Sequence, residues 1–218
     1  MKPEILQKLS QAKLYGILDM GYVTRFKALS VARRLLGLDN GINSRVDVLQ
    51  LRAKGWTSGD VFELAYHVLP LCREAGVPFI INDFVSVAVD LNTDGVHLGQ
   101  EDGDLQMARS LLAPGQIVGR STHSLAQADQ AVAEGADYIG FGPLFATPTK
   151  PGRAPIGLAD ITEVHRRHPG FPIFCIGGIN ETTLDQVIQA GAKRVVIVSA
   201  LLQTEMPDIM INRVKAKL

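Results

Sequence analysis

The first candidate binding residues alternate along the end of an apolar run. Gln50, Arg52 and Lys54 occupy every second position of the segment QLRAK. In a β-strand this spacing places all three on one face, where two cations and an amide could bind an anion. The alternative is a strand that ends in solvent, where Lys54 would be an ordinary surface residue. Arg52 lies deeper in the run, where an unpaired cation would be costly.

Two further apolar runs end in acidic residues. Asn82 and Asp83 follow one run directly, and Asp102 ends the segment GVHLGQED after the next. Two neighbouring strand ends that each offer a carboxylate could hold Mg²⁺ together with waters and phosphate oxygens. The alternative is that each aspartate caps the helix that follows it. Glu101 and Asp104 are rival metal ligands.

A hydroxyl and an imidazole follow the fifth run. Ser121 and His123, in the segment GRSTHS, share one strand face. They could bind a phosphate or move a proton. A Ser–His pair does not make a nucleophile without a third orienting group and an oxyanion pocket. The adjacent Ser124 could simply cap the next helix.

Glycines at the end of the seventh run indicate a phosphate site. Gly177 and Gly178 let backbone N–H groups approach an anion closely, and Val198 and Ser199 end the eighth run. Barrel enzymes frequently bind phosphate in the loops after strands seven and eight. The alternative is a tight turn between strand and helix.

A proline-rich segment, residues 145–157, could close over the same region. Its sequence FATPTKPGRAPIG contains three prolines and two glycines, so no regular element is expected. Loops of this length in compact domains are often lids or binding loops. Thr147, Thr149, Lys150 and Arg153 supply hydroxyls and cations for a bound anion. We therefore expect a mobile substrate-binding loop.

Eight apolar runs, each followed by a helix-like stretch, would position these residues. Parallel strands buried on both faces read as continuous apolar runs, and their crossovers need helices. The runs cover residues 14–19, 47–54, 78–83, 95–100, 117–123, 138–144, 172–178 and 194–200. Eight such units in 218 residues predict an α/β fold, a single-domain (β/α)₈ TIM barrel over residues 1–218. Pro70, inside one helix-like stretch, predicts a kink or interruption there.

Composition and charge argue against several classes of protein. The 22 basic residues balance the 22 acidic ones, so the basic excess of a nucleic-acid binder is absent. Cys72 and Cys175 are the only cysteines and give neither a disulfide framework nor a zinc spacing. No run is long enough to span a bilayer, and residues 1–13 lack the apolar region of a signal peptide. We therefore expect a cytoplasmic protein with no membrane or nucleic-acid partner, and the apolar helix faces leave a homodimer open.

Six segments in order resemble the signatures of one enzyme family. They are QLRAK, IND, GVHLGQED, GPLFATPTK, IGGI and VSA. Together they resemble thiamine phosphate synthase, also called thiamine-phosphate pyrophosphorylase, over roughly residues 14–200. The resemblance implies that a hydroxymethylpyrimidine diphosphate loses pyrophosphate, through an early pyrimidine carbocation, and that a thiazole phosphate nitrogen takes its place. The products would be thiamine phosphate and pyrophosphate, so the partners are small phosphorylated molecules.

The resemblance also implies a role for each matching residue. Asp83 and Asp102 would hold Mg²⁺. Gln50 would bind the pyrimidine. The residues that would contact the diphosphate or the departing pyrophosphate are Arg52, Lys54, Asn82, Ser121 and Lys150, of which all but Asn82 would be catalytic. The residues that would bind the thiazole phosphate are Thr147, Thr149, Gly178, Val198 and Ser199.

Two other functions remain open from the sequence. Arg120 and His123 resemble residues of a sister family, the thiazole tautomerases, in which a histidine at this position moves a proton on the thiazole ring. A tautomerase would not need the TPTK loop together with both acidic positions. A barrel that binds thiamine phosphates without turnover is the other alternative. The combination of Arg52, Asp83, Asp102 and Lys150 argues against it.

Overall fold

The computed structural model describes residues 2–39, 44–147, 149 and 152–218. Eight parallel strands form a closed barrel in chain order, with β1 paired to both β2 and β8. The strands are β1 (Leu14–Asp19), β2 (Val48–Arg52), β3 (Phe79–Asn82), β4 (Gly95–Leu98), β5 (Ile117–Thr122), β6 (Tyr138–Phe141), β7 (Ile173–Ile176) and β8 (Val195–Ile197). This closed ring confirms the predicted (β/α)₈ fold class.

Helices surround the barrel and connect its strands. They are α1 (Lys2–Gln11), α2 (Ala28–Leu35), α3 (Ser58–Ala75), α4 (Val85–Asp90), α5 (Leu105–Leu111), α6 (Leu125–Ala133), α7 (Ile161–Arg167), α8 (Leu184–Gln189), α9 (Ser199–Leu202) and α10 (Pro207–Lys217). A 3₁₀ turn, Arg25–Lys27, precedes α2. Within the described ranges, no helix combines the length and apolar character that crossing a membrane requires.

The strands begin close to the predicted positions but end earlier. Seven of the eight stop one to three residues before the predicted end, and only β1 matches at both ends. The eighth run, for example, leaves the sheet after Ile197, and Ser199 begins α9. Lys54, Asp83 and Asp102 therefore lie in loops at the barrel mouth, whereas Arg52, Asn82 and Ser121 remain near the carboxyl ends of their strands.

The predicted interruption at Pro70 is wrong. Helix α3 continues from Ser58 to Ala75 with Pro70 inside it and ends at Gly76, which adopts the left-handed conformation at φ 66°. Pro70 lies on the exposed side of the helix. The carbonyl that loses its partner there can be hydrated, so the helix tolerates the missing hydrogen bond.

Apolar residues fill the barrel interior, and α1 closes its amino-terminal end. The sequence contains no strong signal for α1, yet Leu9 is fully buried in the interior cluster with residues such as Tyr15, Ile80 and Phe174. The rings of Tyr15 and Phe174 meet edge to face with centroids 5.3 Å apart. The interior below the mouth is thus a packed floor rather than a channel.

We expect the Leu9→Ala variant to lose about 2–5 kcal/mol of unfolding free energy, because a fully buried leucine leaves a cavity when truncated. Urea unfolding of Leu9→Ala beside Leu111→Ala measures this, since Leu111 is 58% exposed in α5. Equal stability losses in the two variants would show that α1 does not seal the barrel.

Candidate active site

A cleft lies at the carboxyl-terminal mouth of the barrel. Strand-end residues from around the ring line it, as expected for a barrel enzyme. Eleven residues singled out in the sequence are part of its lining: Gln50, Arg52, Asn82, Ser121, His123, Thr147, Thr149, Gly177, Gly178, Val198 and Ser199. Lys150 lies outside the described residues.

Lys54, Asp83 and Asp102 form an acidic pair with a shared cation. The Lys54 Nζ atom lies 2.6 Å from Asp83 Oδ2 and 3.1 Å from Asp102 Oδ1. This cluster is not part of the cleft lining, but Asp83 directly follows Asn82, which is. The structure therefore brings together three site residues that come from three separate strand ends.

Burial and mutual repulsion set the charge state of this cluster. Burial raises the pKa of Asp83, and the neighbouring Asp102 charge adds to this, while Lys54 opposes it. Burial also acts against ionisation of Asp102, but hydrogen bonds from Lys54 and other contacts lower its pKa overall. Burial would depress the pKa of Lys54, yet the two carboxylates raise it. Asp83 is thus the carboxylate that most needs additional positive charge.

The geometry does not support helix capping as the role of either aspartate. Phe84 is the N-cap residue of α4, and Asp104 caps α5 by accepting the Met107 N–H at 2.8 Å. Asp83 instead adopts the left-handed conformation at φ 66°, which few residue types other than glycine, asparagine and aspartate tolerate. Asp102 Oδ2 accepts the Gly99 N–H at 3.1 Å.

The cluster also has the donor set of a magnesium site. Asp83 Oδ1 is buried and finds no hydrogen-bond partner among the residues that the structure describes, so one carboxylate oxygen lacks compensation. Over the same ranges, no three Asp, Glu, His or Cys side chains gather as a metal-ligand group. Mg²⁺ often uses only one or two carboxylates and completes its octahedron with water and substrate phosphates. The two aspartates therefore fit this ion.

Arg52 is held at the mouth by an aspartate from the neighbouring strand. Its Nη1 atom lies 2.7 Å from Asp19 Oδ2, and Asp19 is 1% exposed. Asp19 Oδ1 also accepts the Gly21 N–H at 2.9 Å. The buried pair explains how a cation occupies an inward-facing strand position. The sequence places Asp19 at a strand end but assigns it no role.

Gln50 and Ser121 contact two polar residues, Tyr15 and His97, that the sequence did not mark as site residues. Gln50 Nε2 donates to the Tyr15 hydroxyl at 2.9 Å, and Ser121 Oγ lies 2.9 Å from His97 Nε2. Tyr15 and His97 sit at inward positions of otherwise apolar strands. Because alternate side chains of a strand point to the same face, the spacing along β1 and β4 could have identified Tyr15 and His97 as residues facing the barrel interior.

The loop after β6 contacts the loop after β1. Thr149 Oγ1 lies 3.0 Å from the Tyr22 hydroxyl, and the Thr149 N–H donates to Thr147 Oγ1 at 3.3 Å. Gly178 faces this loop at φ 67°, where a Cβ would come within 2.7 Å of Phe145 Cβ. Only glycine lets the two segments approach so closely.

His123 also lines the cleft. Its Nδ1 atom contacts the carbonyl oxygen of Gly142, and its backbone N–H donates to Gln127 Oε1 at 2.8 Å. The next residue, Ser124, accepts the Gln127 N–H and caps α6, as the alternative interpretation of that residue predicts.

Comparisons with known proteins show which family this chain resembles. The model of the family described as thiamine monophosphate synthase matches residues 22–201. A thiamine-phosphate synthase of Synechococcus sp. (strain WH7803) is 42% identical over 202 residues, which are 92% of this chain and 55% of that protein. A thiamine-phosphate synthase of Thermus thermophilus is 45% identical over 163 residues, which are 75% of this chain and 78% of that protein.

A solved structure extends the likeness to the fold. The thiamine phosphate pyrophosphorylase from Pyrococcus furiosus superposes with a TM-score of 0.82 at 28% identity, covering 98% of this chain and 96% of that one. The chain spans about half the length of several of the relatives it matches, including the Synechococcus protein. The family match covers most of the chain, and most of the cleft residues come from the segments that it includes. This chain therefore belongs to the thiamine monophosphate synthase family.

Proposed function

We propose that this chain is a transferase that condenses hydroxymethylpyrimidine diphosphate with thiazole phosphate, giving thiamine phosphate and pyrophosphate with the help of Mg²⁺. The observation that carries the proposal is the cluster in which Lys54 joins Asp83 and Asp102 beside a cleft containing Arg52. Two acids, two cations and an adjoining cleft suit a diphosphate leaving group that departs with a metal ion.

In this mechanism the chain's own residues mainly stabilise the charge that develops on the pyrophosphate. Arg52 in the cleft lining and Lys54 in the adjacent acidic cluster would stabilise that charge, and Ser121 would add a hydroxyl. Mg²⁺ on Asp83 and Asp102 would supply further positive charge to the diphosphate oxygens. A preorganised donor of this kind contributes about 2.7–4 kcal/mol of transition-state stabilisation in other enzymes. No covalent nucleophile is needed.

The other half of the cleft suits the second substrate. Gly178, Val198 and Ser199 lie at the ends of β7 and β8, the usual phosphate position of such barrels. Thr147 and Thr149 face the same space. A thiazole phosphate held there would place its ring nitrogen toward the pyrimidine carbon, which supplies the positional part of catalysis.

The decisive experiment is an assay of pyrophosphate release with both substrates, with each substrate alone, and with and without Mg²⁺. We expect release to require both substrates and to stop when EDTA removes the metal. Absence of turnover with both substrates and Mg²⁺ would refute the proposal. Tight binding of thiamine phosphate in that case would support a non-catalytic binding barrel.

A thiazole tautomerase is the second candidate, because His123 lines the cleft. This function predicts conversion of the thiazole without metal and its loss in His123→Ala. The proposed synthase predicts instead that His123→Ala keeps metal-dependent pyrophosphate release. One variant assayed for both reactions therefore separates the two functions.

The Gly178→Ala variant tests the thiazole phosphate site. A Cβ at φ 67° is strained, and it would also collide with Phe145 and approach the Ala146 carbonyl oxygen at 3.0 Å. We expect the KM for thiazole phosphate to rise about tenfold or more, with little change in the KM for the pyrimidine diphosphate. Gly170→Ala is the matched control, since Gly170 has φ 79° but nothing within 4 Å of the added Cβ. Equal KM effects in both variants would contradict the assignment.

A further inference from the structure

Five side chains form a continuous chain of hydrogen bonds across the barrel interior. Gln50 Nε2 donates to the Tyr15 hydroxyl at 2.9 Å, and the Tyr15 and Tyr138 hydroxyls lie 3.1 Å apart. The Tyr138 hydroxyl is 3.1 Å from His97 Nδ1, and His97 Nε2 is 2.9 Å from Ser121 Oγ. We name this series the interior polar chain. All five side chains line the cleft, and its two ends are Gln50 and Ser121.

The middle of the interior polar chain is rigidly packed. Tyr15 and Tyr138 are 2% and 1% exposed, and Phe174 packs edge-on against both rings. Gly119 makes room for the Tyr138 ring, since a Cβ there would lie 2.1 Å from its Cζ atom. Buried hydroxyls that lose their partners are costly, so these five groups are held to one consistent arrangement of hydrogens.

The Gln50 amide fixes the direction of that arrangement. Its NH₂ group is a donor only, so the single hydrogen of the Tyr15 hydroxyl points away from it, toward Tyr138. The Tyr138 hydroxyl accepts this hydrogen and has its own hydrogen for His97 Nδ1. Burial raises the pKa of both tyrosines, so both keep their hydrogens at neutral pH. His97 Nδ1 is therefore the acceptor, and Nε2 carries the ring hydrogen.

We propose that the interior polar chain makes Ser121 a hydrogen-bond donor to the anion in the cleft, with Tyr15, Tyr138 and His97 as positioning residues. His97 Nε2–H donates to Ser121 Oγ, which leaves the hydroxyl hydrogen of Ser121 for the cleft. In the reverse direction Ser121 would donate its hydrogen to His97 and present only lone pairs. Phosphate oxygens accept hydrogen bonds, so only the first direction helps a departing pyrophosphate. This catalytic consequence rests on the proposed function, whereas the direction itself does not.

The direction is tested by nitrogen NMR of protein labelled with ¹⁵N-histidine. We expect the His97 ring, assigned by the loss of its signals in His97→Gln, to be the neutral Nε2–H tautomer in the wild-type protein. Tyr138→Phe removes the donor to Nδ1 and should shift the ring toward a mixture of tautomers. Tyr66→Phe, a change at a 59% exposed residue of α3, should leave the spectrum unchanged. A predominant Nδ1–H tautomer in the wild-type protein would overturn the proposal.

The catalytic consequence is tested by steady-state kinetics. We expect Tyr138→Phe to lower kcat about tenfold, with a KM for the pyrimidine diphosphate close to that of the wild type. Tyr15→Phe provides a second break in the same chain and should act in the same direction, while Tyr66→Phe should not. If the folded Tyr138→Phe and Tyr15→Phe variants both kept the wild-type kcat, the interior polar chain would have no role in catalysis. An inactive wild-type enzyme that still shows the Nε2–H tautomer would refute the proposed function alone.

Discussion

The Asp83→Asn variant is expected to lose about 10²–10³-fold in kcat, because it removes one of the two carboxylates that would hold the metal charge on the leaving group. Asparagine is the appropriate replacement since it tolerates the left-handed backbone of residue 83, whereas alanine would add strain. Lys54 keeps its 3.1 Å contact with Asp102 in this variant. The expected fall in kcat would therefore result from the lost charge of Asp83 and not from a change in the shape of the site.

The same variant is expected to be at least as stable as the wild type at neutral pH. Burial and Asp102 raise the pKa of Asp83 in the folded protein, so the folded state holds that proton more tightly than the unfolded chain. Ionised Asp83 therefore costs stability above its folded pKa, and this cost disappears as the pH falls below its unfolded pKa. Asparagine removes the cost. Thermal unfolding at neutral and at acidic pH measures the difference, which should shrink toward acidic pH.

Asp104→Asn is the matched control for Asp83→Asn. Asp104 lies in the next loop and caps α5, a role that asparagine performs equally well. Its kcat and stability should stay close to wild-type values. Wild-type kcat in Asp83→Asn, or an equal fall in both variants, would contradict the metal assignment.

The barrel could be predicted from the sequence because a strand that is buried on both faces is apolar at nearly every position. Apolar runs and the helix-like stretches between them repeat eight times, and this periodicity can be recognised without knowledge of side-chain contacts.

The ends of the strands were less predictable from the sequence. Ser199 and Gly178 continue apolar runs, but they lie outside the sheet because Ser199 begins α9 and the backbone at Gly178 turns into the loop after β7. Turn conformation at a strand end depends on tertiary contacts such as that between Gly178 and Phe145.

For the site residues too, some features could be predicted from the sequence and others depend on tertiary contacts. Residues with unusual chemistry at a strand end, such as Arg52 and Asp102, could be identified from type and position alone. Their pairing could not, because Asp19 meets Arg52, and Lys54 meets Asp102, only through contacts between different strand ends. Tyr138 reads as a core aromatic in the sequence. Its hydroxyl gains a role only when the closed barrel brings Tyr15 and His97 next to it.

Arg52→Met is the second change with a large expected effect, and here stability and activity should fall together. Truncating the guanidinium leaves the carboxylate of Asp19, which is 1% exposed, without its cation. Breaking a buried ion pair in this way costs about 3–5 kcal/mol of unfolding free energy. Turnover should also fall steeply, because Arg52 faces the diphosphate in the proposed mechanism.

The double variant Asp19→Asn/Arg52→Met separates these two effects. Without the Asp19 charge, most of the lost stability should return, and urea unfolding of the two single variants and the double variant measures that coupling. Activity should not return, because the double variant still lacks the guanidinium. Arg213→Met is the control, since its pair with Glu181 is about half exposed on both sides and should be worth less than about 1 kcal/mol. If Arg52→Met were no less stable than Arg213→Met, Arg52 would not compensate the Asp19 charge. If the double variant regained turnover, Arg52 would serve the fold and not the reaction.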